Sequence, residues 1–180
     1  MNSSRDRALV KRCLSGDRQA LTALIEAYQK PLYNAAYRIL GNPDDAADAT
    51  QAAFLKAFEH LRKYNPKYKF FSWIYRIALN ESINQLKRNR KTQPVDESEA
   101  HSGPGPAHKA EARDLSHRVQ EGLMELTDDY RTALVLRHFS DCSYREISEI
   151  LQIPEKTVKS RLYTARQLMK EQLLSHGVRP

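Results

Sequence analysis

Apolar residues recur at spacings of three and four along most of the chain, which is the period of amphipathic helices. The first stripe consists of Leu21, Leu24, Ile25, Tyr28, Leu32, Ala35, Ala36 and Ile39. Pro31 lies inside this stripe and predicts a bend or an interruption, because proline cannot donate the helical hydrogen bond. Alternating runs of Val, Ile or Thr, which are typical of strands, are almost absent. The pattern therefore predicts an all-α fold.

A second helix is predicted after a turn at residues 41–43. Asn42 can cap this helix with its side chain, and the proline that follows suits the first helical position. The buried stripe consists of Ala46, Thr50, Ala53, Phe54, Ala57, Phe58 and Leu61. Asp48, Gln51 and Leu55 fall on another face. Leu55 either borders the core or contacts another protein, and the pattern leaves both interpretations open.

Residues 64–91 combine aromatic and basic side chains. The aromatic residues are Tyr64, Tyr68, Phe70, Phe71, Trp73 and Tyr75, and the cations among and beside them are Lys63, Lys67, Lys69 and Arg76. The predicted outer face consists of Ser72, Arg76, Asn80 and Asn84, and the basic end of Lys87, Arg88, Arg90 and Lys91. Rings that stack on unpaired bases, beside cations that follow phosphates, are what a single-stranded nucleic acid requires. Alternatively, the rings fill a core and the basic end is solvated.

The helical pattern stops at Thr92 and resumes near His108. The intervening residues include Pro94, Gly103, Pro104, Gly105 and Pro106, and the acids Asp96, Glu97 and Glu99. This composition is typical of a linker. We therefore assign two small helical domains, residues 1–91 and 113–180, joined by a flexible acidic linker at residues 92–112.

The second domain carries the signature of a helix-turn-helix. Its first apolar positions are Leu115, Val119, Leu123, Leu126, Ala133, Leu134 and Leu136. Thr127 can cap a helix, and Ser143 with Glu146 forms a capping box that opens a short helix. The turn at residues 152–154 ends that helix, and a longer one starts at Glu155. Two helices joined by a tight turn are typical of a domain that reads duplex DNA.

The longer helix has one apolar and one polar face. The apolar face consists of Val158, Leu162, Ala165 and Met169, and the polar face of Lys156, Ser160, Tyr163 and Gln167, flanked by Lys159 and Arg161. Such a helix fits the major groove, where cations reach phosphates or guanine edges and Tyr163 packs on a thymine methyl. A simple solvated face is the alternative.

Composition narrows the class of protein. The formal net charge is +7 and the pI is about 9.4, which favours a polyanionic partner. No stretch of 18 apolar residues is present, and Met1 to Asp6 is polar without an apolar signal core behind it. Cys13 and Cys142 lie far apart, which favours a reducing compartment. We therefore expect a cytoplasmic protein.

Three segments together resemble the extracytoplasmic-function (ECF) sigma factors of the sigma-70 family. They are DDAADATQAAFLKAFEHLRKY, KFFSWIYRIALNESINQLKR and SYREISEILQIPEKTVKSRLYTARQLMK. The resemblance covers nearly the whole chain, with the motifs in the family's order. It implies the domains called sigma two and sigma four and a role in directing RNA polymerase to promoters. The implied partners are core polymerase, through its β′ clamp helices and β flap, promoter DNA and an anti-sigma factor.

The resemblance also implies roles for individual residues. The candidates for core-polymerase binding are Asp48, Gln51 and Leu55. The candidates for the minus-ten element are Lys69, Phe70, Phe71, Trp73, Tyr75, Arg76, Asn80, Asn84, Lys87 and Arg88. The candidates for the minus-thirty-five element are Lys156, Thr157, Lys159, Ser160, Arg161 and Tyr163. The acidic linker resembles family linkers that thread through the nucleic-acid channels of the polymerase.

Two positions depart from the family pattern. Ala52 stands where many relatives carry glutamate, which puts one polymerase contact in question. Lys156 stands where glycine is common, which adds a cation near the phosphates and changes how the helix starts.

Other functions are weighed against the sigma-factor interpretation. A helix-turn-helix regulator that acts without polymerase leaves the aromatic and basic segment unexplained. A nuclease using Asp44, Asp45 and Asp48 lacks a completing histidine cluster, and these acids suit a helix start. Metal or redox sensing is a further possibility, with the candidates Cys13, Cys142, His101, His108, His117 and His138. No phosphate-binding glycine loop is present, so we expect neither an enzyme nor a cofactor.

Overall fold

The computed structural model of the chain describes residues 3–92, 107–175 and 177–178. Within these residues every regular element is a helix, as the sequence predicts. The first half contains α1 (Ser3–Leu14), α2 (Arg18–Leu40), α3 (Pro43–Glu59), a 3₁₀ turn (Leu61–Lys63) and α4 (Phe70–Thr92). The second half contains α5 (Ala107–Glu125), α6 (Asp128–Leu134), α7 (Tyr144–Leu151) and α8 (Glu155–Ser175).

Local capping groups define the ends of the first helices. The Asp17 carboxylate accepts hydrogen bonds from the first backbone amides of α2. Gly41 ends α2 with a φ of 75°, a left-handed conformation that glycine adopts without steric cost. Asn42 then caps α3 and Pro43 is its first residue, which confirms the predicted turn.

Pro31 was expected to bend or interrupt the helix, and the expectation of an interruption is wrong. The helix runs without interruption from Arg18 to Leu40. An internal proline costs about 3 kcal/mol. Tyr28 and Leu32, on either side of Pro31, are fully buried. We attribute the continuous helix to this packing, which offsets the lost hydrogen bond.

Helices α1 to α4 form one helical unit with a continuous core. The predicted stripe of α3 is buried, except that Phe58 is half-buried. The Tyr28 hydroxyl lies within the core and donates a hydrogen bond of 2.7 Å to the Asp6 carboxylate. Burial, together with this carboxylate, raises the pKa of Tyr28. Helix α1, which the sequence pattern did not predict, thus closes the unit.

Helices α5 to α8 contain the predicted helix-turn-helix. The capping box of Ser143 and Glu146 opens α7 as expected. Gln152, with a φ of 55°, ends it. Thr127 occupies the cap position of α6, but its side chain makes no capping hydrogen bond there. After α6 the chain continues as a π-helical turn, Val135–Phe139, which the sequence did not predict.

The two halves pack directly against each other at the carboxyl end of α2. Arg131 is 1% exposed, and its guanidinium donates to the Ile39 carbonyl in the first half. It also donates to the carbonyls of Leu123, Met124 and Leu126 in the second half. The last carbonyls of a helix lack partners within that helix, and a cation suits this end of the dipole. Arg131 therefore ties the halves together.

Two helices extend into the stretch that the sequence assigns as linker. Helix α4 continues to Thr92 and α5 begins at Ala107, within the stretch assigned as linker. Asp96, Glu97 and Glu99, and with them the proposed imitation of a nucleic-acid strand, lie outside the described residues.

Candidate nucleic-acid and protein interfaces

The polar face of α3 is open to solvent. Asp48, Gln51 and Leu55 are all exposed, and Leu55 reaches 59%. The opposite face of α3 carries the buried Ala53 and Ala57. Leu55 therefore projects from the surface instead of bordering the core, which is the arrangement that a protein contact requires.

The aromatic residues after Tyr64 are mainly core. The Phe70 ring packs edge-on against Tyr28 and Tyr64, at centroid distances of 5.4 and 5.5 Å, and Trp73 tilts against it at 5.6 Å. Phe71 is also buried and lies 4.3 Å from the Tyr75 ring. Of the predicted aromatic set, only Tyr68 is exposed. Most of these rings therefore fill the core, which is the alternative to base stacking that the sequence left open.

The start of α4 contacts the second half of the chain. The Lys69 ammonium lies 2.8 Å from a Glu146 carboxylate oxygen, and this hydrogen-bonded pair raises the pKa of Lys69. Ser72 donates a hydrogen bond of 3.1 Å to Glu149. The sequence placed Ser72 on an outer face, but it is only 5% exposed. The reason is that α7 of the other half covers it.

Tyr75 lies at the same contact. It is 2% exposed, and burial raises its pKa to about 12, against the effect of a hydrogen bond with Ser140. Ser140 and the buried Cys142 belong to the segment between the π-helical turn and α7. Tyr75 is therefore held between the two halves.

The remainder of α4 presents an accessible polar edge. Asn80, Asn84 and Lys87 are exposed at helical spacing, and Arg76 is half-buried. Arg88 is also exposed and continues toward the basic end of the helix. Arg90 near this end forms a two-pronged contact with Asp128 of α6, at 2.7 and 3.0 Å.

The polar face of α8 is largely exposed. Val158, Leu162 and Ala165 anchor the helix in the core. The exposed residues are Lys156, Lys159, Ser160 and Tyr163, with Thr157 half-buried. Tyr163 is 64% exposed. Arg161 turns toward α6 instead, where it pairs with Asp129 at 2.7 Å.

An apolar groove of about 370 Å³, which was not predicted from the sequence, crosses the second half. Its apolar lining comes from α5, the π-helical turn and α8, and includes Leu123, Phe139 and Leu173. Arg166 and Lys170 also line the groove. An occupant with an apolar stripe and acidic flanks would match this surface.

The structure does not favour the sensing sites. His138 is exposed, but the part of its ring that is covered, together with Arg166, lowers its pKa. Burial raises the pKa of Cys142 to about 12, so the thiolate that a metal or an oxidant requires is scarce at neutral pH. Within the described residues no group of three or more metal-binding side chains comes together. His101 lies outside those residues, and the side chain of His108 is not described.

Each half of the chain matches a known protein family. Residues 24–92 match the Sigma-70 region 2 family and residues 116–169 match the Sigma-70, region 4 family. The chain is 31% identical over 176 residues to the ECF RNA polymerase sigma factor SigW of Bacillus subtilis (strain 168), covering 91% of this chain and 94% of the relative. This chain is an ECF sigma factor of the sigma-70 family. The prediction from the three sequence motifs is confirmed.

Other relatives agree with the assignment of this ECF sigma factor. The ECF RNA polymerase sigma-E factor of Escherichia coli (strain K12) is 32% identical over 174 residues, covering 90% of this chain and 91% of the relative. The fold is that of CnrH in complex with the cytosolic domain of CnrY, with a TM-score of 0.76, 24% identity and coverage of 95% and 98%. The fold is also that of the sigma factor RpoE of Bartonella quintana in complex with the anti-sigma factor NepR. The TM-score is 0.69 and the identity 22%, and the match covers 84% of this chain and 95% of RpoE.

The family defines the activity. As an ECF sigma factor, the chain binds core RNA polymerase and directs promoter-specific initiation of transcription. Sigma factors are DNA-binding initiation factors. The described helices include none that is long and apolar enough to cross a membrane.

Proposed function

We propose that the exposed face of α3 binds the β′ clamp helices of core polymerase through Asp48, Gln51 and Leu55. The support is Leu55, a large apolar side chain on an otherwise polar and fully open face. Apolar anchors of this kind commonly provide most of the binding free energy of an interface. Ala52, which replaces the glutamate of many relatives, leaves more of that energy to Leu55.

The Leu55→Asp variant tests this assignment. We expect its affinity for core polymerase to fall by about tenfold or more, because a charge would be buried in the interface. Leu14→Asp is the matched control, since Leu14 is also exposed, at the end of α1. Equal affinities of the two variants would contradict the role of Leu55.

We propose that α8 reads the minus-thirty-five element as duplex DNA. The observation that carries this proposal is the exposed row of Lys156, Lys159, Ser160 and Tyr163 on a helix anchored from its other side. Cations in this row bind phosphates, whereas Ser160 and Tyr163 reach base edges. Arg161, held by Asp129, contacts DNA only after that pair breaks.

Run-off transcription with core polymerase and genomic promoter DNA tests the activity, and Lys159→Ala tests the surface. We expect this variant to weaken duplex binding on all sequences and to reduce the salt dependence by about one counterion. Lys30→Ala, at an exposed lysine of α2, is the control and should match the wild type. Duplex binding without core binding or transcripts would instead indicate a polymerase-independent regulator.

We propose that the minus-ten strand follows α4 from Lys69 to its basic end. Asn80, Asn84 and Lys87 support this path because they form an exposed edge. The aromatic minus-ten candidates, Phe70, Phe71, Trp73 and Tyr75, are buried or half-buried, so bases stack on them only after a rearrangement. Loss of permanganate-reactive thymines in an Asn80→Ala, Asn84→Ala double variant would support the assignment.

We propose that the groove of the second half receives an amphipathic helix of the β flap. Its apolar lining and its cations Arg166 and Lys170 match an apolar stripe with acidic flanks. Leu174→Lys adds a charge at the groove and is expected to weaken core binding. The exposed Leu115, outside the groove, provides the control variant Leu115→Lys.

We infer that an anti-sigma factor regulates this chain in the cytoplasm and that the chain is not an enzyme. The structurally similar RpoE is bound to the anti-sigma factor NepR, which supports the same kind of partner here. Competition between that partner and core polymerase for the Leu55 face is the expected result.

A further inference from the structure

The two lysines in the exposed row of α8 lie at different positions around the helix. The buried face of α8 consists of Val158, Leu162 and Ala165. At about 100° per residue, Lys156 lies roughly 150° from the mean direction of this face, whereas Lys159 lies only about 90° from it. Lys156 therefore stands near the middle of the outward face, and Lys159 stands at its margin.

The middle of the outward face is the part of α8 that meets the bases. A helix that enters the major groove turns this part toward the base edges and its margins toward the two phosphate backbones. Ser160 and Tyr163, the proposed base contacts, also lie within about 50° of the middle of the face. Lys156 is the second residue of α8, and the first residues of a recognition helix are those that contact base edges. Lys156 therefore belongs with Ser160 and Tyr163, and not with Lys159.

The ammonium of Lys156 is available to a ligand. The side chain is exposed, and within the described residues it forms no ion pair and no hydrogen bond. Arg161 of the same helix, by contrast, must first leave Asp129. A lysine in the first turn also lies at the positive end of the helix dipole, which disfavours a cation there. The stability of the helix therefore does not account for a lysine at this position.

The chemistry of an ammonium selects one base. An ammonium offers three donors and no acceptor, on a flexible four-carbon stem that extends beyond the helix surface. In the major groove guanine presents two acceptors, O6 and N7, whereas adenine and thymine each present one and cytosine presents only a donor. Guanine is therefore the base that matches Lys156 best.

We propose that Lys156 is a specificity-determining residue: beyond its proximity to the phosphates, its ammonium donates to O6 and N7 of a guanine in the minus-thirty-five element. This inference rests on the proposed reading of that element by α8. Lys159, at the margin of the same face, contributes affinity without a preference for any base. The two lysines thus have different roles, although both are exposed cations three residues apart.

Promoter binding by the holoenzyme tests this role of Lys156. Core polymerase is combined with the full chain, and the probe is a promoter that yields a run-off transcript, with each base pair of its minus-thirty-five element replaced in turn. At one position we expect the wild type to prefer guanine by at least about fivefold and Lys156→Ala to prefer it by less than about twofold. Lys159→Ala is the matched control, which should weaken binding to all sequences and keep the preference. A uniform loss of affinity in Lys156→Ala would indicate a phosphate contact alone and would overturn the proposal.

A second variant should change the preferred base instead of removing the preference. Lys156→Gln introduces an amide, whose donor and acceptor together match N7 and N6 of adenine. We expect the preferred base at the same position to change from guanine to adenine, by at least about threefold, with the other positions unaffected. Lys159→Gln is the control and should leave the preferred base as it is in the wild type. A retained guanine preference in Lys156→Gln would show that another residue reads this base.

Failure of this inference is distinguishable from failure of the minus-thirty-five assignment. The variants Lys156→Ala, Lys159→Ala and Tyr163→Ala all change exposed side chains, so their circular dichroism should match that of the wild type. If Lys159→Ala and Tyr163→Ala weaken promoter binding while Lys156→Ala keeps the wild-type base preferences, only the role of Lys156 is wrong. If none of the three variants changes promoter affinity, α8 does not read the element and both proposals fail.

Discussion

Two regions with similar sequence signals, the start of α4 and the polar face of α8, have opposite environments in the structure. Both combine a tyrosine with a nearby lysine. Tyr163 on α8 stands in solvent, whereas Tyr75 on α4 is enclosed between the halves of the chain. The face that α8 presents is determined by its own short-range packing. The environment of α4 is determined by residues more than 60 positions away, such as Ser140 and Glu149.

The largest expected effect is a difference in stability between variants of the two regions. Phe70→Ala should lower the free energy of unfolding by about 3–5 kcal/mol, because it empties a fully enclosed aromatic site. Tyr163→Ala should change it by less than about 0.5 kcal/mol and yet weaken duplex binding. Urea unfolding monitored by circular dichroism measures both variants. Comparable losses of stability would contradict the contrast.

A second change removes Arg131, which joins the two halves of the chain. Arg131→Met should cost about 3 kcal/mol, since four carbonyls that it now binds would lose a buried donor. We expect small-angle scattering to show a larger radius of gyration as well. The control Arg145→Met removes a largely exposed arginine of α7 and should leave both quantities unchanged. An unaltered radius for Arg131→Met would show that the remaining contacts hold the halves together.

Acid should loosen the α4 contact before it affects α8. Burial opposes ionisation of Glu146, but hydrogen bonds from Lys69 and Ser143 outweigh it and keep the pKa of Glu146 below its usual 4.5. The stabilisation is therefore present above that pH and is lost as the pH falls through the lower, folded value. Loss of the capping box costs about 1 kcal/mol. Amide exchange of α7, measured as a function of pH in the wild type and in Glu146→Gln, reports this loss of stability. Equal pH profiles of the two proteins would contradict the role of Glu146 in the pH dependence.

The smallest expected effect concerns α8. Asp129→Asn releases Arg161 and should tighten duplex binding by about twofold, with a salt dependence steeper by about one counterion. Asp114→Asn carries the same change of charge away from this pair and serves as the control. Identical salt slopes for the two variants would mean that Arg161 does not reach the DNA.

Residues with short-range signals were predictable. Asn42, the box of Ser143 and Glu146, and the buried Val158 and Leu162 follow from spacing along one helix, and the structure contains each of them as expected. The exposed Leu55 agrees with the face assigned to it. These features depend on neighbours within one or two turns.

Residues whose partners are distant in sequence were not predictable. Nothing in the sequence near Ser72 indicates that Glu149 covers it, and an arginine such as Arg131 ordinarily indicates a surface position. The groove also forms only after α5, the π-helical turn and α8 come together. A period of 3.6 residues identifies the face of a helix, but not what packs against that face.

The hydrogen bond between Arg131 and the Ile39 carbonyl also bears on the order in which the chain folds. It joins positions 92 residues apart, whereas each half closes its own core through much shorter loops. Contacts between distant residues form late in folding because they require the ordering of a long intervening chain. The halves should therefore fold first and join last. In the native protein, opening of their junction should be the lowest-energy cooperative fluctuation, visible as amide exchange at the carboxyl end of α2 that is faster than global unfolding.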